Sequence, residues 1–261
     1  MARFKRSSRF TLLAIAFLVA LTFGLVVSTS SAVQAQLKSD PLSSKLPTQW
    51  EFQAPRGEDP LPDNRQGGAT RGDNCIQGNA SLVALVPASG GVTTAEYPTI
   101  YWYMPATSAS AVEFVLRDAN QQVVYSTRYA LAKSAKGVVV DTPKIMSLAL
   151  PAYTNLSPLK IDQEYQWSLV LSCNPLDLSG QLFVEGKIKR VQADPTLAEL
   201  VSKATPQERV GLYAKARVWY ETLSTLVELQ RDRPNNPEVI EAMNKLLTSV
   251  GLNTIPQKPV S

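Results

Sequence analysis

The feature that most constrains this chain is a change of period at Val191. From Ser81 to Val191 apolar residues recur at every second position, and beyond Val191 they recur every third or fourth. A period of two places alternate side chains on opposite faces of a strand, and a period near 3.6 lines up one face of a helix. The chain therefore reads as a strand-rich part followed by a helical part.

The strand-rich part is legible piece by piece. Ser81–Val86 ends at Pro87, and Ser89-Gly90-Gly91 follows as a turn. Thr99–Met104 alternates, with Ile100, Trp102 and Met104 on one face and Tyr101 and Tyr103 on the other. Val112, Phe114 and Leu116 share a face, Asp118-Ala119-Asn120 turns, and Val123–Tyr129 returns as the second arm of a hairpin. Val138–Val140 and Ile145–Leu150 add one or two strands. Tyr165, Trp167, Leu169 and Leu171 then share one face, and Leu182, Val184 and Ile188 face inward on the last strand. Short alternating strands separated by turn signals predict an Ig-like antiparallel β-sandwich over 75–192, with Trp102 and Trp167 as core anchors of the facing sheets.

In the helical part, Asp194-Pro195 opens a short helix to Lys203. Thr205-Pro206-Gln207-Glu208 is a capping box with proline at the first helical position. Tyr213, Ala216, Tyr220, Leu223 and Val227 continue this helix to about Arg231, and Leu212, Trp219 and Leu226 widen the apolar stripe. Asn236-Pro237 opens a second helix, with Ile240, Met243, Leu247 and Val250 on one face and Gly251 as its stop. The expectation is a helical hairpin over 193–252 and a tail over 253–261.

The N-terminus reads as an export signal over 1–35. Arg3, Lys5, Arg6 and Arg9 precede an apolar run from Leu12 to Val27, and Val33-Gln34-Ala35 fits the small-x-small cleavage rule. The alternative is an uncleaved anchor, since the run is about long enough to graze a bilayer. Cleavage leaves no membrane segment and places the chain in the periplasm or outside the cell. It also changes the charge. The whole chain has 26 basic and 22 acidic residues. The signal takes four of the basic ones, leaving 22 against 22, so no basic surface suited to nucleic acid is expected. Residues 36–74 are proline-rich and poor in apolar residues, which predicts a flexible segment, with Trp50 and Phe52 as candidates to dock on the folded body. Arg71-Gly72-Asp73 spells an adhesion tripeptide, a pattern frequent by chance.

Cys75 and Cys173 are the two cysteines of the chain. In an exported protein a distant pair predicts one disulfide, closing a loop of roughly 100 residues. Two buried free thiols are the alternative. The chain has no histidine. That removes Ser-His-Asp and Cys-His catalysis and histidine metal sites, so no metal, cofactor or enzymatic role is expected. Paired carboxylates are the remaining catalytic option, drawn from Glu96, Asp118, Asp141, Asp162, Glu164, Asp177 and Glu185, and would imply a glycoside-type hydrolase.

Two surfaces invite a binding role. Tyr97, Tyr101 and Tyr103 form a candidate ligand face, since aromatic faces stack on sugars. Pairing across strands is the competing reading. Leu212, Trp219 and Leu226 form a candidate partner face, against the alternative that they pack on the sandwich.

Several short motifs occur together in order. They are Leu85-Val86-Pro87, Thr94-Ala95-Glu96-Tyr97-Pro98-Thr99, Trp102-Tyr103-Met104-Pro105, Val112-Glu113-Phe114, Ser172-Cys173-Asn174-Pro175, Val184–Val191 and Trp219-Tyr220-Glu221-Thr222-Leu223. From about Arg71 to Leu252 the chain resembles a family of exported cyanobacterial proteins known as domain of unknown function nine hundred and twenty-eight. The resemblance implies a cyanobacterial exported protein and no activity. Lys133–Lys144 looks like an insertion relative to that pattern. The expectation is an exported, non-catalytic interaction protein that engages another envelope protein, with polysaccharide recognition by the tyrosine face as the runner-up and a carboxylate hydrolase third.

Overall fold

The computed structural model describes residues 46–50, 52, 64–67, 75–131, 143–153, 156–174, 181–253 and 255. All of them fall in one compact unit, Ser43–Ser261. The export signal, Arg71-Gly72-Asp73, Asp141, Asp177 and the strand expected at Val138–Val140 lie outside the described residues.

Among the described residues eight strands are followed by four helices: β1 (Val83–Ala84), β2 (Gly91–Thr93), β3 (Thr99–Met104), β4 (Ala111–Arg117), β5 (Val123–Ala130), β6 (Lys144–Ala149), β7 (Glu164–Ser172), β8 (Leu182–Arg190), α1 (Pro195–Lys203), α2 (Pro206–Lys215), α3 (Trp219–Asp232) and α4 (Pro237–Ser249). The strands make a three-stranded sheet ordered β1-β3-β6 and a five-stranded sheet ordered β2-β8-β7-β4-β5. All pairings are antiparallel except β2 with β8, which is parallel.

Register explains the core. Leu116 opposes Trp167, Phe114 opposes Leu169 and Val112 opposes Leu171. Across the next pair, Leu169 opposes Val184 and Trp167 opposes Gly186. These residues line one face of the five-stranded sheet, and the large ones are buried. Gly186 lies where it does because the Trp167 indole occupies the space above it: a Cβ there would meet Trp167 Cζ2 at 2.5 Å and Val86 Cγ1 at 2.8 Å. Facing them, Ile100, Trp102 and Met104 of β3 are buried beside Leu148 of β6. Both expected tryptophan anchors are thus in the core.

The helical part differs from the expected pair. The segment expected as one helix from Thr205 to about Arg231 is interrupted after Lys215. Arg217 takes a left-handed φ of 57°, Val218 is extended, and α3 starts afresh at Trp219. The capping box forms as expected: Glu208 N–H donates to Thr205 Oγ1 at 3.4 Å and Thr205 N–H donates to Glu208 Oε2 at 2.7 Å. The Thr205 backbone N–H, followed by the Thr205 hydroxyl, which donates to Glu208 Oε2 at 2.9 Å, holds the Glu208 carboxyl below the usual carboxylate range.

Helix α3 closes the side of the sandwich where β1 and β2 lie. Its first two side chains penetrate the sheets. Trp219 Nε1 donates to Leu85 O at 3.0 Å, and the Tyr220 hydroxyl donates to Lys187 O at 3.0 Å while accepting from Trp167 Nε1 at 3.1 Å. Gly91 makes this approach possible, since a Cβ on it would meet Tyr220 Cε2 at 2.7 Å and Trp219 Cδ1 at 2.9 Å. From the N-terminal segment Phe52 docks edge-on against Trp219, with ring centroids 5.1 Å apart, and Trp50 stacks on Phe52. Ile255, in the segment expected as a tail, is also buried in this core.

Cys75 and Cys173 are bonded, with Cα atoms 5.2 Å apart and a sequence separation of 98. The bond ties the chain entering the sandwich to the end of β7. Among the described residues no helix is long and apolar enough to cross a membrane.

Candidate interaction surface

The structure first removes two expected surfaces. Tyr101 and Tyr103 do point away from the sandwich interior, as alternation requires, but they do not meet solvent: they are 4% and 2% exposed. Helix α3 lies over Tyr101. Burial raises the Tyr101 hydroxyl above the usual phenol range, against the opposing hydrogen bond of Ser224, and Glu228 and Arg231 lie close by. The Tyr103 hydroxyl is buried without a hydrogen-bond partner. Tyr97 is half-buried, and its hydroxyl donates to Leu156 O at 3.2 Å. The three tyrosines therefore do not form an exposed ligand face. The expected partner face is corrected likewise. Trp219 and Leu226 are fully buried and Leu212 is half-buried, because this stripe packs on the sandwich and its neighbouring helices.

Four of the described candidate acids are engaged in local contacts. Glu96 pairs with Arg190 at 3.2 Å and Glu164 with Lys187 at 2.9 Å. Glu185 accepts from Asn64 at 3.0 Å. Asp118 Oδ1 accepts from the backbone N–H groups of Asn120 and Gln122, closing the β4–β5 turn. Asp162 lies in the turn before β7 with φ 60°. Among the described residues no three of the acids and cysteines group to hold a metal.

What remains open is the far side of the sandwich. A sheet of five strands faces a sheet of three, so strands must overhang. With β1 packed near β8, β3 and β6 fall over β7 and β4 at the usual spacing of about 4.8 Å, and β5 has no strand opposite it. The overhang at β2 is filled by Trp219 and Tyr220. At the far edge of the five-stranded sheet, Val123 and Tyr129 of β5 are 55% and 46% exposed.

β5 is also an edge. Of the four sheet edges, β1 is bridged by Gln66, β2 is packed by α3, and β6 is shorter than β5, with four of its six residues buried or half-buried. β5 runs for eight residues, Val-Val-Tyr-Ser-Thr-Arg-Tyr-Ala. It is rich in β-branched and aromatic residues, with one charge and no proline. Natural edges are usually blunted by lysines, prolines or bulges. The irregularity here falls at the start of β5, where Leu116 pairs with Tyr125 but Arg117 with Val123. Tyr125, Thr127 and Tyr129 project on the sandwich-facing side, opposite Leu116, Phe114 and Val112. Tyr125 packs against Phe114 at 6.3 Å, and burial, followed by the neighbouring Tyr129, raises its hydroxyl above the usual range while Thr127 opposes the shift. The arrangement is a half-open aromatic shelf beside a strand edge that no described strand pairs with.

The fold and this surface define a disulfide-tied β-sandwich protein with a helical cover. The chain belongs to the family named Domain of Unknown Function (DUF928), whose family model matches residues 66–260. That name assigns no activity. No curated protein matches the chain.

Proposed function

We propose that the chain is an exported, non-catalytic binding protein that engages another envelope protein by strand addition at β5. The observation that carries the reading is the exposed eight-residue edge with its overhanging tyrosines. An edge supplies main-chain hydrogen bonds for affinity, and pockets beside alternate side chains supply specificity. The basic, apolar and small-residue order of positions 1–35 supports export, as does the disulfide, which belongs to oxidising compartments. The lack of histidine supports a non-catalytic role. The strand order, with β1 in one sheet and β2 crossing to pair with the last strand of the other, supports the Ig-like reading. The pair α3 and α4, joined through the Arg233–Asn236 turn, supports the hairpin reading for the end of the helical part.

Affinity capture from an exported fraction tests the proposal. The chain captures one stoichiometric protein, and the Val123→Lys, Tyr129→Lys double variant, which leaves the fold intact, loses it. Capture that is unaffected by the two lysines, or no capture at all, refutes strand addition at β5.

A further inference from the structure

A concavity lies where the β2–β3 connection meets α2 and α3. It has a volume of about 290 Å³ and is lined in part by Tyr97, Pro98, Arg209, Tyr213, Ser224 and Glu228. We propose that this cleft binds one saccharide unit of a surface polysaccharide, a site independent of the β5 edge.

The walls are held before any ligand arrives. Glu221, in the first turn of α3, grips the connection that carries Tyr97. Its Oε1 accepts from Thr93 Oγ1 at 2.7 Å, Thr94 N at 2.9 Å and Ala95 N at 3.0 Å. The Tyr97 hydroxyl is anchored on Leu156 O. On the other wall, Arg209 Nε donates to Ala204 O at 3.1 Å, which fixes the stem of its guanidinium and leaves the terminal nitrogens for a ligand. A site fixed in this way loses little conformational entropy on binding.

The chemistry of the lining selects the ligand class. Tyr213 is half-buried between charges of both signs. Burial raises its hydroxyl most, Glu221 and Glu228 add to the rise, and Arg209 opposes it. Arg209 and Glu228 thus share one cleft without forming an ion pair with each other. An anion would meet two carboxylates and a cation would meet the guanidinium. A neutral polyol satisfies both, because adjacent hydroxyls donate to a carboxylate and accept from a guanidinium fork. The tyrosine rings and Pro98 offer the apolar surface that the C–H face of a sugar ring needs. A volume at the lower end of ligand pockets suits a single ring and not a long segment.

A glycan array carrying neutral and acidic bacterial surface saccharides, probed with the full exported chain, provides the test, followed by calorimetric titration with the smallest saccharide retained. A neutral saccharide is bound. Glu228→Gln and Arg209→Lys each weaken binding about tenfold or more, consistent with the loss of a hydrogen bond to a charged group, with circular dichroism unchanged. The Val123→Lys, Tyr129→Lys variant binds the saccharide normally, which separates this site from the β5 edge. No saccharide retained, or binding undiminished in both cleft variants, overturns the proposal.

Discussion

Tyr220→Phe isolates the bond that joins the helices to the sandwich. The Tyr220 side chain is fully buried, and its hydroxyl is the middle of a relay: it accepts from the Trp167 indole N–H at 3.1 Å and donates to Lys187 O at 3.0 Å. Phenylalanine keeps the ring and its packing but strands both partners. A buried donor left without an acceptor costs about 1–3 kcal/mol, and the second lost bond about 1 kcal/mol. The expected loss is therefore about 2–4 kcal/mol in urea unfolding, or a fall in Tm of about 4–16 °C for a chain of this size. The same residue gives a pH signature. Burial pushes the Tyr220 hydroxyl far above the usual phenol value of 10.0, so the folded state keeps its proton where the unfolded state releases it. The unfolded chain then binds fewer protons, and stability is full below pH 10.0 and declines above it, at about 1.4 kcal/mol per pH unit for this one group. Tyr220→Phe lacks that contribution. A loss below about 0.5 kcal/mol at neutral pH, with an unchanged alkaline slope, would refute the relay as the docking bond.

Gly186→Ala is expected to destabilise by about 1–3 kcal/mol in the same assay, because its methyl group must displace the Trp167 ring or Val86; an unchanged midpoint would mean that the tryptophan is not packed over this glycine. Replacing Cys75 and Cys173 by serine opens a loop spanning 98 residues. The chain-entropy model puts the loss at up to about 4.7 kcal/mol, and full reduction of the native protein lowers Tm to match the double variant. If reduction leaves Tm unchanged, the bond contributes nothing to the folded state.

Most strands were legible because alternation and turn residues are local signals. β3 and β5 fall within a residue of their expected limits, and Trp102 and Trp167 are core as their faces require. β2 was missed, because its first residue, Gly91, belongs to the Ser89-Gly90-Gly91 turn signal and its parallel partner, β8, lies about a hundred residues away. The helix break at Arg217 carries no glycine or proline to announce it. Alternation also says which way Tyr101 and Tyr103 point, but not whether a further layer waits there. One signal did exist: β3 is apolar on both faces, the mark of a strand covered on both sides. Of the residues lining the proposed saccharide cleft, the sequence reading singled out Tyr97, but Arg209, Tyr213 and Glu228 join it only through the packing of α2 and α3. The exposure of β5 depends on how many strands the opposite sheet has, a property of the whole fold that no window of sequence contains.

The burial of Tyr101 and Tyr103 leads to a stronger statement about the helices. They are part of the sandwich's own core, not an appendage that can be cut away. Deleting Thr205–Leu252 removes Trp219, Tyr220, Leu223 and Leu226, each at most 1% exposed. At about 1.5–3 kcal/mol per fully buried side chain, these four alone account for about 6–12 kcal/mol. That is comparable with the whole stability of an ordinary domain, about 5–15 kcal/mol. The deletion also strands the Trp167 N–H and uncovers Tyr101. The shortened chain is therefore expected to lose its near-ultraviolet circular dichroism and its cooperative unfolding transition while keeping much of its far-ultraviolet strand signal, the behaviour of a collapsed but unpacked state. A sharp transition in the shortened chain, within a few degrees of the full protein, would show that the sandwich is self-sufficient. The outer face of β3 would then again be a candidate binding surface.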